Sequence, residues 1–308
     1  VLEREKLRAY RIEDLDRILA DVKTDVKMQV VRNDEGSPSS GSSAVAAMVG
    51  LGLGMVLYMF LMIYGAMVMQ SVIEEKSSRV LEVVVSSVRP FELMMGKIFG
   101  VASVAVVQVL IWAVLVCGAG AAVMPHVLPD GAMEAAAALQ QGGGAATAAA
   151  GDFDPETLGA IALATDVSYL AMLFGYLLLF VVGGYLLYSA MFAAVGSAVD
   201  NAQDAAQLQT PIMIPIILAV IVEMSVLNDP NSPLAFWFSL IPFTSPVVMM
   251  ARIPYGIPTW EIVLSLVLLY AAFVGMVWLS AKIYRVGIFM YGKKPTLREM
   301  FRWIRYKY

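Results

Sequence analysis

The clearest pattern along the chain is a series of long apolar runs that contain no charged residue. Five runs are long enough to cross a membrane, within residues 44–73, 98–124, 166–200, 204–223 and 262–281, the fourth only just. A hydrocarbon core about 30 Å thick requires roughly 20 apolar residues in a helix. Backbone groups in lipid must bond within their own segment, and the runs show no period-2 alternation. We therefore predict an all-α polytopic membrane protein with five visible transmembrane helices.

A sixth apolar stretch, residues 233–251, differs from the others because prolines interrupt it. Pro233, Pro242 and Pro246 lie within it. Proline removes a helix hydrogen bond and collides with the preceding turn. We predict two short helices here that re-enter the membrane or lie at its outer surface. The alternative is a kinked sixth span, since broken helices occur in transporters.

The basic residues of the connecting segments predict which side of the membrane each segment faces. Four Lys and Arg residues lie in the loop 74–97 and eight follow residue 281, whereas the connector 124–166 has none. Short basic loops stay on the cytoplasmic side. The loop 74–97 and the basic tail 291–308 are therefore predicted to be cytoplasmic, and five spans then leave residues 1–43 outside.

Residues 1–43 are predicted to be the C-terminal part of an extracytoplasmic domain followed by a linker. Apolar residues repeat at helical spacing between residues 15 and 26, and a short strand is expected near residues 27–31. The run GSPSSGSS at 36–43 is typical of a flexible linker. Export of this domain requires something upstream. Because the chain begins with Val1, we expect a missing first span, which gives six spans in the parent protein.

Composition excludes several classes of function. The chain is 59% apolar and 15% charged, whereas soluble domains carry about 25% charged residues. A net charge of −4 gives no indication of nucleic-acid binding. Cys117 and His126 are the sole residues of their types, so neither a disulfide nor a His/Cys metal site is expected. Neither H-E-x-x-H nor paired intramembrane aspartates occur, which argues against an intramembrane protease.

The loop between the first two runs has the pattern of a short charged helix over residues 73–88. Glu75 and Arg79 have the i,i+4 spacing of an ion pair of about 0.3 kcal/mol, and Arg79 has i,i+3 spacing with Glu82. Pro90 ends the helix, because the residue before a proline avoids helical angles. The helix is either an interfacial element or a docking helix for a groove on a cytosolic partner.

This loop resembles the coupling-helix region of type-2 ABC exporter permeases, most closely the sodium-extrusion (NatB-like) branch. The resemblance rests on EEKSSR at 74–79, EVVVSS at 82–87, Pro90, and Gly96 followed by Lys97. It covers most of residues 44–285. Further matches are IYG at 63–65, NSP at 231–233, IPFTSP at 241–246, and Arg252.

The resemblance implies the permease subunit of an ATP-driven exporter in a prokaryotic cell membrane, surrounded by lipid. A separate cytosolic ATPase subunit would bind ATP and Mg²⁺, in agreement with the absence of a G-x-x-x-x-G-K-[ST] loop here. A second permease, identical or different, would complete the pathway, and sodium is one candidate cargo. The implied docking residues are Glu74, Glu75, Lys76, Ser77, Ser78, Arg79 and Glu82. The alternative is a secondary transporter or channel, which would show internal repeats and midplane ionisable residues.

Three polar residues in or near the runs are candidates for the pathway. Gln70 and Gln108 are more consistent with bonds between helices, which are worth about 0.6 kcal/mol on average. Glu223 is either a functional intramembrane carboxylate or an interfacial one, because it lies near the end of its run. Gly50 and Gly54 have the G-x-x-x-G spacing of a helix-pairing face.

Overall fold

The computed structural model describes residues 42–78, 88–128, 131–140, 155–290 and 296–303. The chain divides into two units, Val1–Ser40 and Gly41–Tyr308. The helix, strand and linker predicted for residues 1–43 lie almost entirely outside the described ranges. The architecture below is that of the second unit.

Within these ranges the unit is built from helices. In chain order they are α1 (Ser42–Ser77), α2 (Pro90–Val127), α3 (Ala132–Gln140), α4 (Pro155–Thr165), α5 (Val167–Ala198), α6 (Ala202–Val226), α7 (Pro233–Leu240), α8 (Ser245–Arg252), a 3-10 turn (Ile253–Tyr255), α9 (Thr259–Gly287) and α10 (Leu297–Trp303). Five of the described helices, α1, α2, α5, α6 and α9, are long and apolar enough to cross a membrane. The predicted all-α class and its five transmembrane helices are confirmed.

Helix α5 lies at the centre of the bundle, with α1, α2 and α9 packed around it. Its second half is almost completely buried. Small residues let the neighbouring helices approach α5 closely. A Cβ added at Gly184, for example, would meet Leu61 and Pro246. Asp166 caps the start of the helix, because its carboxylate accepts hydrogen bonds from the backbone N–H groups of Ser168 and Tyr169.

The proline-rich stretch forms the two short helices predicted for it. Helices α7 and α8 have eight residues each. Eight residues rise only about 12 Å, so neither helix could cross a membrane. Every residue of α8 is buried, and the helix packs against α1, α6 and α7. Helix α8 is therefore an internal element of the bundle. Whether the two short helices re-enter the membrane or lie at its outer surface stays a prediction.

Other parts of the chain are more helical than their composition indicates. Helix α6 continues through Pro211 and Pro215 for 25 residues. Helices α3 and α4 pack together through alanine and isoleucine side chains. Helix α10 lies in the segment predicted only as a basic tail, and its Met300 and Trp303 are buried against the core. Basic residues around these two apolar positions obscured the helix in the sequence.

Candidate functional site

The long helices meet at two ends of the bundle. Contacts of Lys76 join the C-terminal ends of α1, α5 and α9, and the start of α2 lies beside them. We call this the Lys76 end. The opposite end, where α6 stops and α9 begins, contains Arg252 and is called the Arg252 end. The loop 74–97 and the chain after α9 therefore leave the bundle at the same end, as the distribution of basic residues predicts.

Lys76 is the most enclosed charged residue of the Lys76 end. Its side chain is fully buried, and Nζ lies 3.1 Å from Oδ1 of Asp200. The same ammonium donates hydrogen bonds to the backbone oxygens of Ser197, at 2.8 Å, and Gly287, at 2.9 Å. These carbonyls end α5 and α9, where a cation also interacts favourably with the helix dipole. Lys76 was predicted as part of an exposed docking surface, and its burial contradicts that role.

The boundary between the first span and the predicted coupling helix also differs from expectation. Helix α1 does not stop near Ile73 but continues to Ser77, because Val72, Ile73 and Lys76 form one buried face. It ends where the hydroxyl groups of Ser77 and Ser78 donate to backbone oxygens three residues back. Residues 73–77 therefore belong to α1. The rest of the predicted helix, including Arg79 and Glu82, lies in the segment 79–87 that the structure does not describe.

A second ion pair fastens α1 to α2. Nζ of Lys97 lies 2.6 Å from Oε2 of Glu75 and donates to the backbone oxygen of Ser71 at 3.0 Å. The structure gives Glu75 a partner on the next helix, and the pair predicted with Arg79 involves a residue outside the described ranges. Glu74, Ser77 and Ser78 remain exposed. The end of α1 therefore exposes polar side chains on its surface, while the ion pairs of Lys76 and Glu75 bind it to the neighbouring helices.

The two glutamine candidates differ in their environment. The hydroxyl group of Tyr64 donates a hydrogen bond to Oε1 of Gln108, which links α1 to α2 as the structural interpretation predicts. Gln70 is exposed on α1. Gln108 is half-buried and bonded to α1, whereas Gln70 is exposed.

Glu223 is fully buried although it lies only one turn from the end of α6. Among the residues that the structure describes, neither carboxylate oxygen has a hydrogen-bond partner. A Cβ added at Gly54 would collide with this carboxylate, and one at Gly50 would collide with the backbone oxygen of Ala251. The predicted pairing face of α1 therefore packs against α6 and α8. Glu223 is therefore enclosed by protein, and its functional and interfacial interpretations both stay predictions.

A buried polar network closes the Arg252 end. The guanidinium of Arg252 lies 2.9 Å from Oε2 of Glu261 and donates to Ser239 Oγ, at 2.6 Å, and to the Pro230 backbone oxygen, at 2.7 Å. It connects α7, α8 and α9. Sequence reasoning used Arg252 only as a family match and missed Glu261. The sequence feature that could have indicated this pair is the isolated Arg252 of the connector 223–261, followed by Glu261 at the start of the next span.

This architecture is that of a multi-pass helical membrane protein in which the ion pairs of Lys76 and Lys97 hold the helix ends together at the Lys76 end. Residues 12–282 match the sequence pattern of the ABC-2 family transporter proteins, and the chain belongs to that family. It is a membrane permease domain of the ABC transporter type.

Two curated relatives have similar sequences. The chain is 27% identical over 246 residues to the uncharacterised protein YhaP of Bacillus subtilis, covering 80% of this chain and 52% of the relative. It is 27% identical over 260 residues to the uncharacterised protein MJ1024 of Methanocaldococcus jannaschii, covering 84% and 54%. The chain thus spans about half the length of these bacterial and archaeal relatives. No solved structure matches.

Proposed function

We propose that this chain is the permease subunit of an ATP-driven exporter and that its Lys76 end receives the movement of a separate cytosolic ATPase. Membership of the ABC-2 family supports the permease role. The observation that carries the proposal is the contrast along one turn of α1. Glu74, Ser77 and Ser78 are exposed, while Lys76 between them is buried and bonded to α5 and α9.

This arrangement would transmit a push on the loop into the bundle. The docking surface consists of Glu74, Glu75, Ser77, Ser78, Arg79 and Glu82, without Lys76. Lys76 holds α1 to α5 and α9, and the pair of Lys97 with Glu75 holds it to α2. Closure of the ATPase subunits would therefore rock several helices together, as in other rigid-body switches between two states.

Nucleotide chemistry belongs to the partner in this proposal. ATP and Mg²⁺ would bind the ATPase subunit, and two permeases, identical or different, would enclose the pathway. The cargo is an ion or small molecule, with sodium as one candidate from the NatB-like resemblance. Glu223, Gln70 and Gln108 are the proposed pathway residues, and Gln108 is the weakest of them because Tyr64 already occupies its side-chain oxygen.

Recovery of an ATPase with the full-length protein tests the proposal. The tagged protein is purified from its host membranes, and co-purifying subunits are searched by mass spectrometry for a G-x-x-x-x-G-K-[ST] loop. We expect Glu74→Arg and Arg79→Glu to reduce recovery of that subunit at least about tenfold, which corresponds to roughly 1.4 kcal/mol. Glu134→Arg, an exposed change on α3, is the matched control and should leave recovery unchanged.

The outcomes separate the main interpretation from its alternative. Unchanged recovery and unchanged export in both variants would show that this surface is not the docking site. Recovery of no ATPase, together with transport that needs no ATP, would favour a secondary transporter or channel.

A further inference from the structure

Glu223 combines complete burial with unpaired carboxylate oxygens. Its side chain is 0% exposed, and neither Oε1 nor Oε2 has a hydrogen-bond partner within the described ranges of the chain. Its helix, α6, is one of the candidate membrane spans. Intramembrane carboxylates that face a protein interior are costly and usually serve a function.

The neighbouring helix provides a space shaped for this carboxylate. A Cβ at Gly54 would collide with both Oε1 and the carboxyl carbon of Glu223. Gly52, two residues away on the same helix, has no described atom within 4 Å of the equivalent position. Absence of a side chain at residue 54 is therefore what admits the carboxylate between α1 and α6, whereas residue 52 has no such requirement.

The charged groups of the helices packed against α6 are all engaged elsewhere or distant. Arg252 of α8 is bonded to Glu261, Ser239 and the Pro230 backbone oxygen. The charges of α1 and Asp204 of α6 lie at the Lys76 end, and α7 carries no titratable residue. The remaining titratable side chains of these helices are Tyr58 and Tyr64 of α1 and Tyr169, Tyr176, Tyr185 and Tyr188 of α5. None of these tyrosines bonds to the Glu223 carboxylate, whose two oxygens have no partner in the part of the chain that the structure describes.

An ionised carboxylate in this position would be strongly disfavoured. Leaving a charge buried without a partner costs several kcal/mol, whereas a neutral carboxylic acid avoids most of that cost. A hard metal cation would require several further oxygen ligands around it. A proton requires only the carboxylate itself, so a proton is the ligand that fits a single unpartnered carboxyl group.

We propose that Glu223 is a proton-binding site within the membrane-spanning core. In this conformation the carboxyl group holds the proton. When α6 moves away from α1 and water enters, the O–H bond breaks, the electron pair stays on the carboxylate and the proton passes to water. The inference does not depend on ATPase docking, because it concerns the permease alone.

Carbodiimide labelling of the full-length protein in lipid nanodiscs tests the site. Dicyclohexylcarbodiimide partitions into apolar regions and reacts with protonated carboxyl groups, and mass spectrometry locates the adduct. We expect modification of Glu223 at neutral pH that falls roughly tenfold for each pH unit above its midpoint. The water-soluble carbodiimide EDC should modify exposed acids such as Glu74 and leave Glu223 at least about tenfold less labelled, in line with the burial of Glu223.

Matched variants make the result specific. Glu223→Gln should abolish the adduct, Gly54→Ala should reduce it several-fold by displacing the carboxylate, and Gly52→Ala should leave it unchanged. If Gly54→Ala fails to fold, the pH profile and the comparison of reagents decide alone. Absence of a Glu223 adduct at every pH, equal labelling by EDC, or suppression by sodium chloride but not by choline chloride would overturn the proposal.

Discussion

Lys76 and Asp200 form an ion pair, 3.1 Å between Nζ and Oδ1, at the point where three long helices end. Asp200 lies between α5 and α6, and the lysine also bonds the terminal carbonyls of α5 and α9. One side chain of α1 thus connects the loop segment to the centre of the bundle. This relationship fastens the end of α1 to the ends of α5 and α9.

Removal of the Lys76 ammonium is expected to destabilise the protein. Breaking a buried ion pair on one side costs about 3–5 kcal/mol. Because the Asp200 side chain is 30% exposed and water can solvate it, we expect about 2 kcal/mol for Lys76→Met. Thermal unfolding of the purified protein in detergent, followed by size-exclusion chromatography, measures the change. Lys97→Met is the comparison, with a smaller loss because Glu75 is 34% exposed. Equal melting temperatures of Lys76→Met and the unaltered protein would contradict the anchoring role.

The network at the Arg252 end predicts a larger loss of stability than the one expected for Lys76→Met. Arg252→Met would leave Glu261 buried and remove donors to Ser239 and Pro230, so we expect a loss of about 3–5 kcal/mol. Arg252→Lys should recover only part of it, because an ammonium cannot replace the planar fork of donors. The same thermal assay applies. Arg285→Met changes an exposed arginine of α9 and should have little effect, and a comparable loss there would show that the network has no special weight.

Close packing of α5 against α1 predicts a contrast between two glycines of the same helix. A Cβ at Gly196 would lie 2.8 Å from the backbone oxygen of Met69, whereas one at Gly175 would meet no atom of the described residues within 4 Å. Gly196→Ala should therefore destabilise the protein by about 1–3 kcal/mol, typical of overpacking. Gly175→Ala should be neutral or slightly stabilising, because alanine favours helix over glycine. Yield of folded protein after heating compares the two, and equal behaviour would refute close contact between α5 and α1 at this point.

Orientation in the membrane is tested with single cysteines. In a Cys117→Ala background, Ser78→Cys and Asn228→Cys place thiols at exposed positions at opposite ends of the bundle. Because the loop 74–97 carries the basic residues, we expect Ser78→Cys to react with an impermeant maleimide only in inverted membrane vesicles. Asn228→Cys should react in intact cells. Labelling of Ser78→Cys from outside would reverse the orientation and remove the ATPase-docking proposal with it.

The sequence by itself determined the fold class and the number of long apolar helices. The physical reason is that lipid forces each span to satisfy its backbone within one helix, so the absence of charge over enough residues is decisive. It also determined the two short helices at residues 233–251, because Pro233 and Pro246 lie in the first turn of a helix, a position that proline favours. These features depend on residues that are neighbours in the chain.

Only the tertiary structure decided what individual polar residues do. Lys76 has the sequence context of a solvated charge, yet it is buried because Asp200 and two helix ends lie around it. Glu261 is the partner of Arg252, and Gly54 makes room for Glu223, through contacts between helices that no spacing along the chain reveals. The burial of a charge depends on residues brought together by packing, so periodicity along one helix could not predict it.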